Sequence, residues 1–276
     1  MATRFEHPVY DKLSNYSFYL CSTSPRRQEI LNMLGFCPVI RPSHFEENLS
    51  KLDYTVEEYV AETARGKCLA VWDQLKKEGK TDNVLLLSAD TVVENEGVIY
   101  EKPKTQEENF RAICKMRDSN EPVRVISGVV MLLSDASTRG KPDRCKIKTF
   151  TEITEIIMEK SVSDEFVRKY SECGEGHQVA GGFKIQGSGA LMMRGINGDY
   201  YNVLHKQFIH SGSWQRRKQV NEVWSVGGGL PSQVNDEWDP SVVGDGLSGV
   251  EDLGDSLFGL FRQVQAGVHD EECSKS

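Results

Sequence analysis

The stretch "NVLLLSADTVV" (residues 83–93) decides the fold. A continuous apolar run of Val and Leu suits a strand buried on both faces of an α/β sheet. The run breaks at Ser88, Ala89 and Asp90, so it reads as a buried strand ending in a polar tip. A carboxylate at such a tip is partly desolvated, which is costly without a partner or a role. Acids at strand ends hold metals or activate water, and they also serve as plain turn caps.

Downstream, "VVENEGVIYEKP" (92–103) predicts a hairpin turning at Asn95, Glu96 and Gly97. "TQEENFRAICKM" (105–116) is helical, and "PVRVISGVVMLLSD" (122–135) and "KIKTFTEITEIIM" (146–158) are strands. "SDEFVRKYSECG" (163–174) is a helix with a Ser cap and a Gly end. "GGFKIQGSGALMMRGI" (181–196) combines glycines with β-type residues and predicts strand, loop, strand. Upstream, "TVEEYVAETARGKCLAVWDQLKKEG" (55–79) is a long amphipathic helix closed by Gly. "SFYLCS" (17–22) and "CPVIRP" (37–42) are short strands around a helix that starts at Ser24 and ends at Gly35. Residues 1–15 form a loose polar lead-in. Mixed strands and helices imply one α/β body of about 200 residues.

The 276 residues carry a net charge of −8, but residues 235–276 hold ten acids and two bases, so residues 1–234 are neutral. The body therefore has no global basic surface for duplex nucleic acid. No apolar run is long enough to span a membrane, and the N-terminus has no apolar core after a basic start. Seven cysteines without a CxxC pair argue against a disulfide framework and a zinc site, and for a reducing cytoplasm. Residues 204–228 are basic and poorly periodic, and residues 232–256 are rich in Gly, Asp and Ser, as in disordered segments. The expected organisation is a flexible lead-in (1–15), one α/β body (16–203) and an atypical, partly disordered acidic segment (204–276).

"CSTSPRRQEILNMLGF" (21–36) places Arg26 and Arg27 at a helix start, where the dipole disfavours positive charge. A strand, a Ser/Thr turn and a helix start together make an anion site. Ser22 and Ser24 add hydroxyls, and the arginines add charge-assisted bonds to phosphate. Taken alone, such a pair is more often simply solvated. Glu46 and Glu47 in "HFEEN" could join Asp90 in holding a hard cation such as Mg²⁺, or form a solvated acidic pair. Lys67 in "ARGKCLA" and Lys102 in "YEKP" are further cations near these motifs. "IQGSGA" lacks the third Gly of a dinucleotide fingerprint, and no GxxxxGK[ST] occurs. Its Gln186 carries an amide that can both donate to and accept from a base edge.

In order, "CSTSPRRQEIL", "FEE", "ARGKCLA", "LLSADTVV", "YEKP", "SGVVMLL" and "VAGGFKIQGSGALMMRGINGDYYNV" closely resemble the Maf family of nucleoside triphosphate pyrophosphatases, over residues 17–203. The resemblance implies an inosine triphosphate pyrophosphatase-like α/β fold: an elongated mixed β-sheet with flanking helices, in two lobes around a central cleft. It implies hydrolysis of a nucleoside triphosphate to monophosphate and pyrophosphate with a divalent cation, Mg²⁺, Mn²⁺ or Co²⁺. Carried over residue by residue, the family's SxSPRR loop falls on Ser22, Ser24, Arg26 and Arg27, and its acid before the long helix on Glu47. Its helix lysine falls on Lys67, its general-base aspartate on Asp90, its GKP lysine on Lys102 and its IQG glutamine on Gln186. Arg26, Thr91 and Gln186 are similar to the subgroup that favours dTTP, UTP and modified pyrimidine nucleotides. A homodimer is what the family suggests.

The chain departs from that pattern at Val123, where the family often has His, and at Phe183, where it has Tyr. "LHKQFIHSGSWQRRKQVNEVWSVGG" (204–228) separates "GDYYNV" from Gly229, Leu230 and Pro231, so the closing helix is expected to be missing or replaced. A non-catalytic nucleotide-binding protein linked to cell-division arrest is the alternative. A minor third reading is an RNA-binding stretch at 206–218, with Lys206, Trp214, Arg216, Arg217 and Lys218.

Overall fold

The computed structural model describes residues 8–134, 145–177, 179–203 and 223–226. Its centre is three long strands, β3 (Val84–Asn95), β5 (Val123–Ser134) and β6 (Lys146–Met158), paired antiparallel. At about 3.3 Å per residue they are ~40 Å long, which makes the sheet elongated. On the outer side of β3 lie β1 (Ser17–Leu20) and β2 (Val39–Ile40), both parallel. β4 (Val98–Tyr100) returns along β3, while β7 (Met193–Asn197) and β8 (Val223–Val226) pair with opposite ends of β6. Among the described residues the open sheet has eight strands.

Among the described residues six α-helices flank it: α1 (Pro8–Leu13), α2 (Pro25–Met33), α3 (Val56–Lys77), α4 (Gln106–Asp118), α5 (Asp164–Cys173) and α6 (Tyr200–Val203). The cause of α3 is local as well as tertiary. Thr55 and Glu58 form a reciprocal capping box, and Lys76 and Lys77 close the last turn. Its buried stripe of Ala64, Cys68, Val71 and Leu75 packs on the even-numbered face of β3, at Val84 and Leu86, and Val60 packs further along at Val92. The odd-numbered face, at Leu85, Leu87 and Ala89, packs with Leu13, Leu20, Leu31 and Phe36. The far ends of the strands enclose a separate core with Ile113, Met116, Val167, Tyr170 and Phe183. Two lobes thus share one spine, and Asp90 lies between them.

Several expectations change. β3 does not end at Asp90 but continues to Asn95, with Asp90 paired opposite Gly128 in mid-strand. Polar residues survive there because α3 supplies partners: Ser88 Oγ donates to the Ala64 carbonyl at 2.6 Å. The approach is close, since a Cβ on Gly128 would stand 2.5 Å from the Val60 backbone. Part of the lead-in is the helix α1, whose Leu13 is buried. Within 181–196 only the last part is strand. Two 3-10 turns (Ala180–Gly182 and Ser188–Met192) precede it. The hairpin turn is as expected, with Glu96 and Gly97 both at positive φ. Residues 223–226 form a strand, where a poorly periodic stretch was expected. Gly229, Leu230, Pro231, the replaced closing helix and the basic stretch 206–218 lie outside the described residues.

Candidate active site

The turn before α2 builds the first half of the site. Ser24 occupies the cap position without a side-chain cap bond, Pro25 opens the helix, and no acid sits in the first turn. Ser22 Oγ instead accepts the Ser24 amide at 3.2 Å and Arg27 Nη1 at 3.2 Å. Arg27 is buried and turned onto β3. Its Nη1 donates to the Ala89 carbonyl at 2.8 Å and its Nη2 to Thr91 Oγ1 at 3.4 Å. Burial pushes the Arg27 guanidinium below its ordinary value, against the charges of Asp90 and Glu47, which raise it. An arginine remains charged through such a shift, so the pocket keeps a fixed cation. Arg26 is half-buried on the same turn.

The second half is a carboxylate–ammonium–carboxylate row. Lys67 Nζ lies 2.7 Å from Asp90 Oδ1 and 3.0 Å from Glu47 Oε1. Lys67 and Asp90 side chains are 12% and 14% exposed, while Glu47 is 54% exposed, so Glu47 is the member that meets solvent. Lys67 reaches this point because it shares a helix face with Ala64, which is bonded to Ser88, one inward-facing position before Asp90. Two carboxylates close enough to share one ammonium could also share one hard cation, with phosphate oxygens and water completing its shell. Among the described residues no larger group of His, Cys, Asp or Glu gathers, so the protein alone would supply a partial site.

Lys102 and Gln186 are not joined to this cluster. Both are exposed, Lys102 just after β4 and Gln186 on the turn between the 3-10 segments. Beside Lys102 lies an open cavity of about 600 Å³ lined by Lys51, Tyr100, Glu101, Pro103 and Arg111, which does not include Asp90.

A second layer went unread in the sequence. Thr91 Oγ1 and Ser127 Oγ are 3.2 Å apart, and Ser127 donates to Asn202 Oδ1 at 2.5 Å. The Asn202 amide then donates to the Val125 carbonyl at 3.0 Å and Thr154 Oγ1 at 3.2 Å. Arg27 is thereby linked to α6 through a chain of hydrogen bonds that ends buried at Asn202. The available signal was a pair of polar interruptions, "ADT" and "ISG", which pairing sets side by side.

Among the described residues no helix is long and apolar enough to cross a membrane. A family model described as Maf-like protein matches residues 17–204. A Schizosaccharomyces pombe protein named dTTP/UTP pyrophosphatase is 34% identical over 202 residues, covering 72% of this chain and 82% of its own. A Saccharomyces cerevisiae protein of the same name is 35% identical, covering 69% and 85%. One from Clostridium perfringens is 31% identical, covering 67% and 88%. With two thirds of its length matched and the Asp90, Lys67 and SPRR positions brought to one place, the chain belongs to the Maf-like protein family.

Proposed function

We propose that the protein is a nucleoside triphosphate pyrophosphohydrolase acting on dTTP, UTP and related pyrimidine nucleotides. The observation that carries this reading is Asp90, held in mid-sheet between Lys67 and Arg27, next to a helix start suited to phosphate. The relatives' shared name supports the substrate class.

In the reaction a water oxygen bonds the α-phosphorus as the bond to the β-phosphate oxygen breaks, and pyrophosphate leaves. Asp90 takes the water's proton, and Lys67 orients its carboxylate. Arg26, Ser24 and the free amides at the start of α2 bind the phosphates, with Ser22 beside them. Arg27, fixed on β3, supplies positive charge from behind this turn. Lys102 completes the phosphate clamp, and the Gln186 amide reads the base. Glu47 and Asp90 would hold Mg²⁺, Mn²⁺ or Co²⁺, which when bound neutralises charge on the phosphates. A cytoplasmic homodimer completes the proposal.

The test is pyrophosphate release from a panel of nucleoside triphosphates with each metal, for the wild type and Asp90→Asn. Release from dTTP or UTP that is lost in the variant supports the reading. A folded wild type that binds nucleotide without turnover refutes it in favour of a regulatory binder.

A further inference from the structure

Gln186 is held from outside its own loop. The Glu175 carboxylate, in the turn after α5, accepts the Ser188 amide at 3.2 Å and the Gly189 amide at 3.3 Å. Tyr170, buried on the last turns of α5, accepts the Lys184 amide at 3.0 Å on its hydroxyl oxygen. The two anchors therefore bracket Gln186, one on each side in sequence. Burial pushes the Tyr170 hydroxyl up, the Lys184 amide works against that, and the negative charge of nearby Glu175 adds to it.

The glycines show how tight the arrangement is. A Cβ on Gly187 would run into the Glu175 carboxylate, and one on Gly189 into the Lys184 carbonyl. The base of the loop is thus packed shut, while Gln186 at its tip is exposed. A fixed base under a free side chain is the arrangement recognition needs, because the pose is set before the ligand arrives.

We infer that Glu175, with Tyr170 fastening the other side of the loop, is a positioning residue that sets the pose of Gln186 and so the enzyme's selectivity among nucleobases; this rests on the base-reading role proposed above. Glu175 acts only through the loop. Its removal loosens the Ser188 and Gly189 amides and spreads Gln186 over several orientations. Binding of the preferred base weakens, and the phosphate chemistry at Asp90 is untouched.

Two measurements on the full chain test this. The first is amide hydrogen exchange in wild type and Glu175→Ala. Exchange at Ser188 and Gly189 should rise about tenfold or more, with β3 and β5 amides unchanged. Unchanged exchange at both positions overturns the clamp. The second is kcat/KM for UTP relative to ATP. Glu175→Ala and Gln186→Ala should each lower this ratio about tenfold through KM, with Glu175→Gln in between and no further loss in the double variant. An equal loss for all nucleotides, or additive losses in the double variant, overturns the positioning role. If the wild type hydrolyses no nucleotide, the proposed function fails, and the exchange experiment alone decides the clamp.

Discussion

Asp90 and Gln186 stand at opposite extremes of attachment. Asp90 sits halfway along a 12-residue strand, paired with Gly128, ion-paired to Lys67 and flanked by Arg27. Gln186 stands exposed at the tip of a glycine-rich loop whose fastening comes from another element. The difference follows the two tasks proposed for them. Groups that meet the same atoms in every substrate are built into strand and helix, where packing holds them. A group that distinguishes one base from another stands on a loop, which the scaffold positions.

Replacement of Asp90 should have the largest effect. Asp90→Asn keeps the shape and removes the proposed base, so kcat should fall on the order of 10²–10⁴-fold while nucleotide binding persists in a direct titration. A variant with near-normal kcat would break the comparison at its root. Gly128→Ala attacks the scaffold instead. The added methyl must displace the Val60 backbone, so thermal unfolding should show a loss of about 1–3 kcal/mol. Hydrolysis should fall with it, because α3 carries Lys67.

Lys102→Ala sharpens the other side. This exposed lysine should change stability by less than about 0.5 kcal/mol. Loss of the charge-assisted bond to phosphate proposed for it should raise KM about tenfold. A large drop in melting temperature would show that Lys102 belongs with the rooted group. The smallest effect concerns the cap of α3. Hydrogen bonds from the Thr55 backbone and hydroxyl hold the Glu58 carboxyl below its ordinary value of 4.5. A group depressed in the folded state stabilises above its unfolded value, and that contribution is lost as pH falls through the folded value. Glu58→Gln should therefore be less stable than wild type at neutral pH by under about 1 kcal/mol, with the gap closing in acid. Melting curves at the two pH values check the sign.

What could be read from the sequence divides along the same line. β6 and the hairpin at Asn95–Gly97 follow from alternation and turn chemistry, which are local. The strand around Asp90 was cut short because Ser88 and Asp90 look like an ending, and their partners lie on a helix more than twenty residues away. Arg27 reads as a ligand-facing charge until Ala89, 62 residues on, claims it. The 181–196 stretch reads as strand, loop, strand from its glycines and β-type residues, while the two 3-10 turns that replace the first strand, and the carboxylate that fastens the loop from a different segment, leave no local mark. Among the site residues, type and order were legible, but burial and partnership were not.

The polar pair on β3 has a consequence beyond chemistry. Val84 and Leu86 on one face are matched by Leu85 and Leu87 on the other, and all four are buried. As far as oiliness is concerned, this half of the strand could slide by one residue with little penalty, yet such a slip turns every side chain to the opposite face. Ser88 and Asp90 forbid it, since either would lose its partner on α3. The carboxylate proposed above as the general base therefore also tells the chain which way its central strand must face.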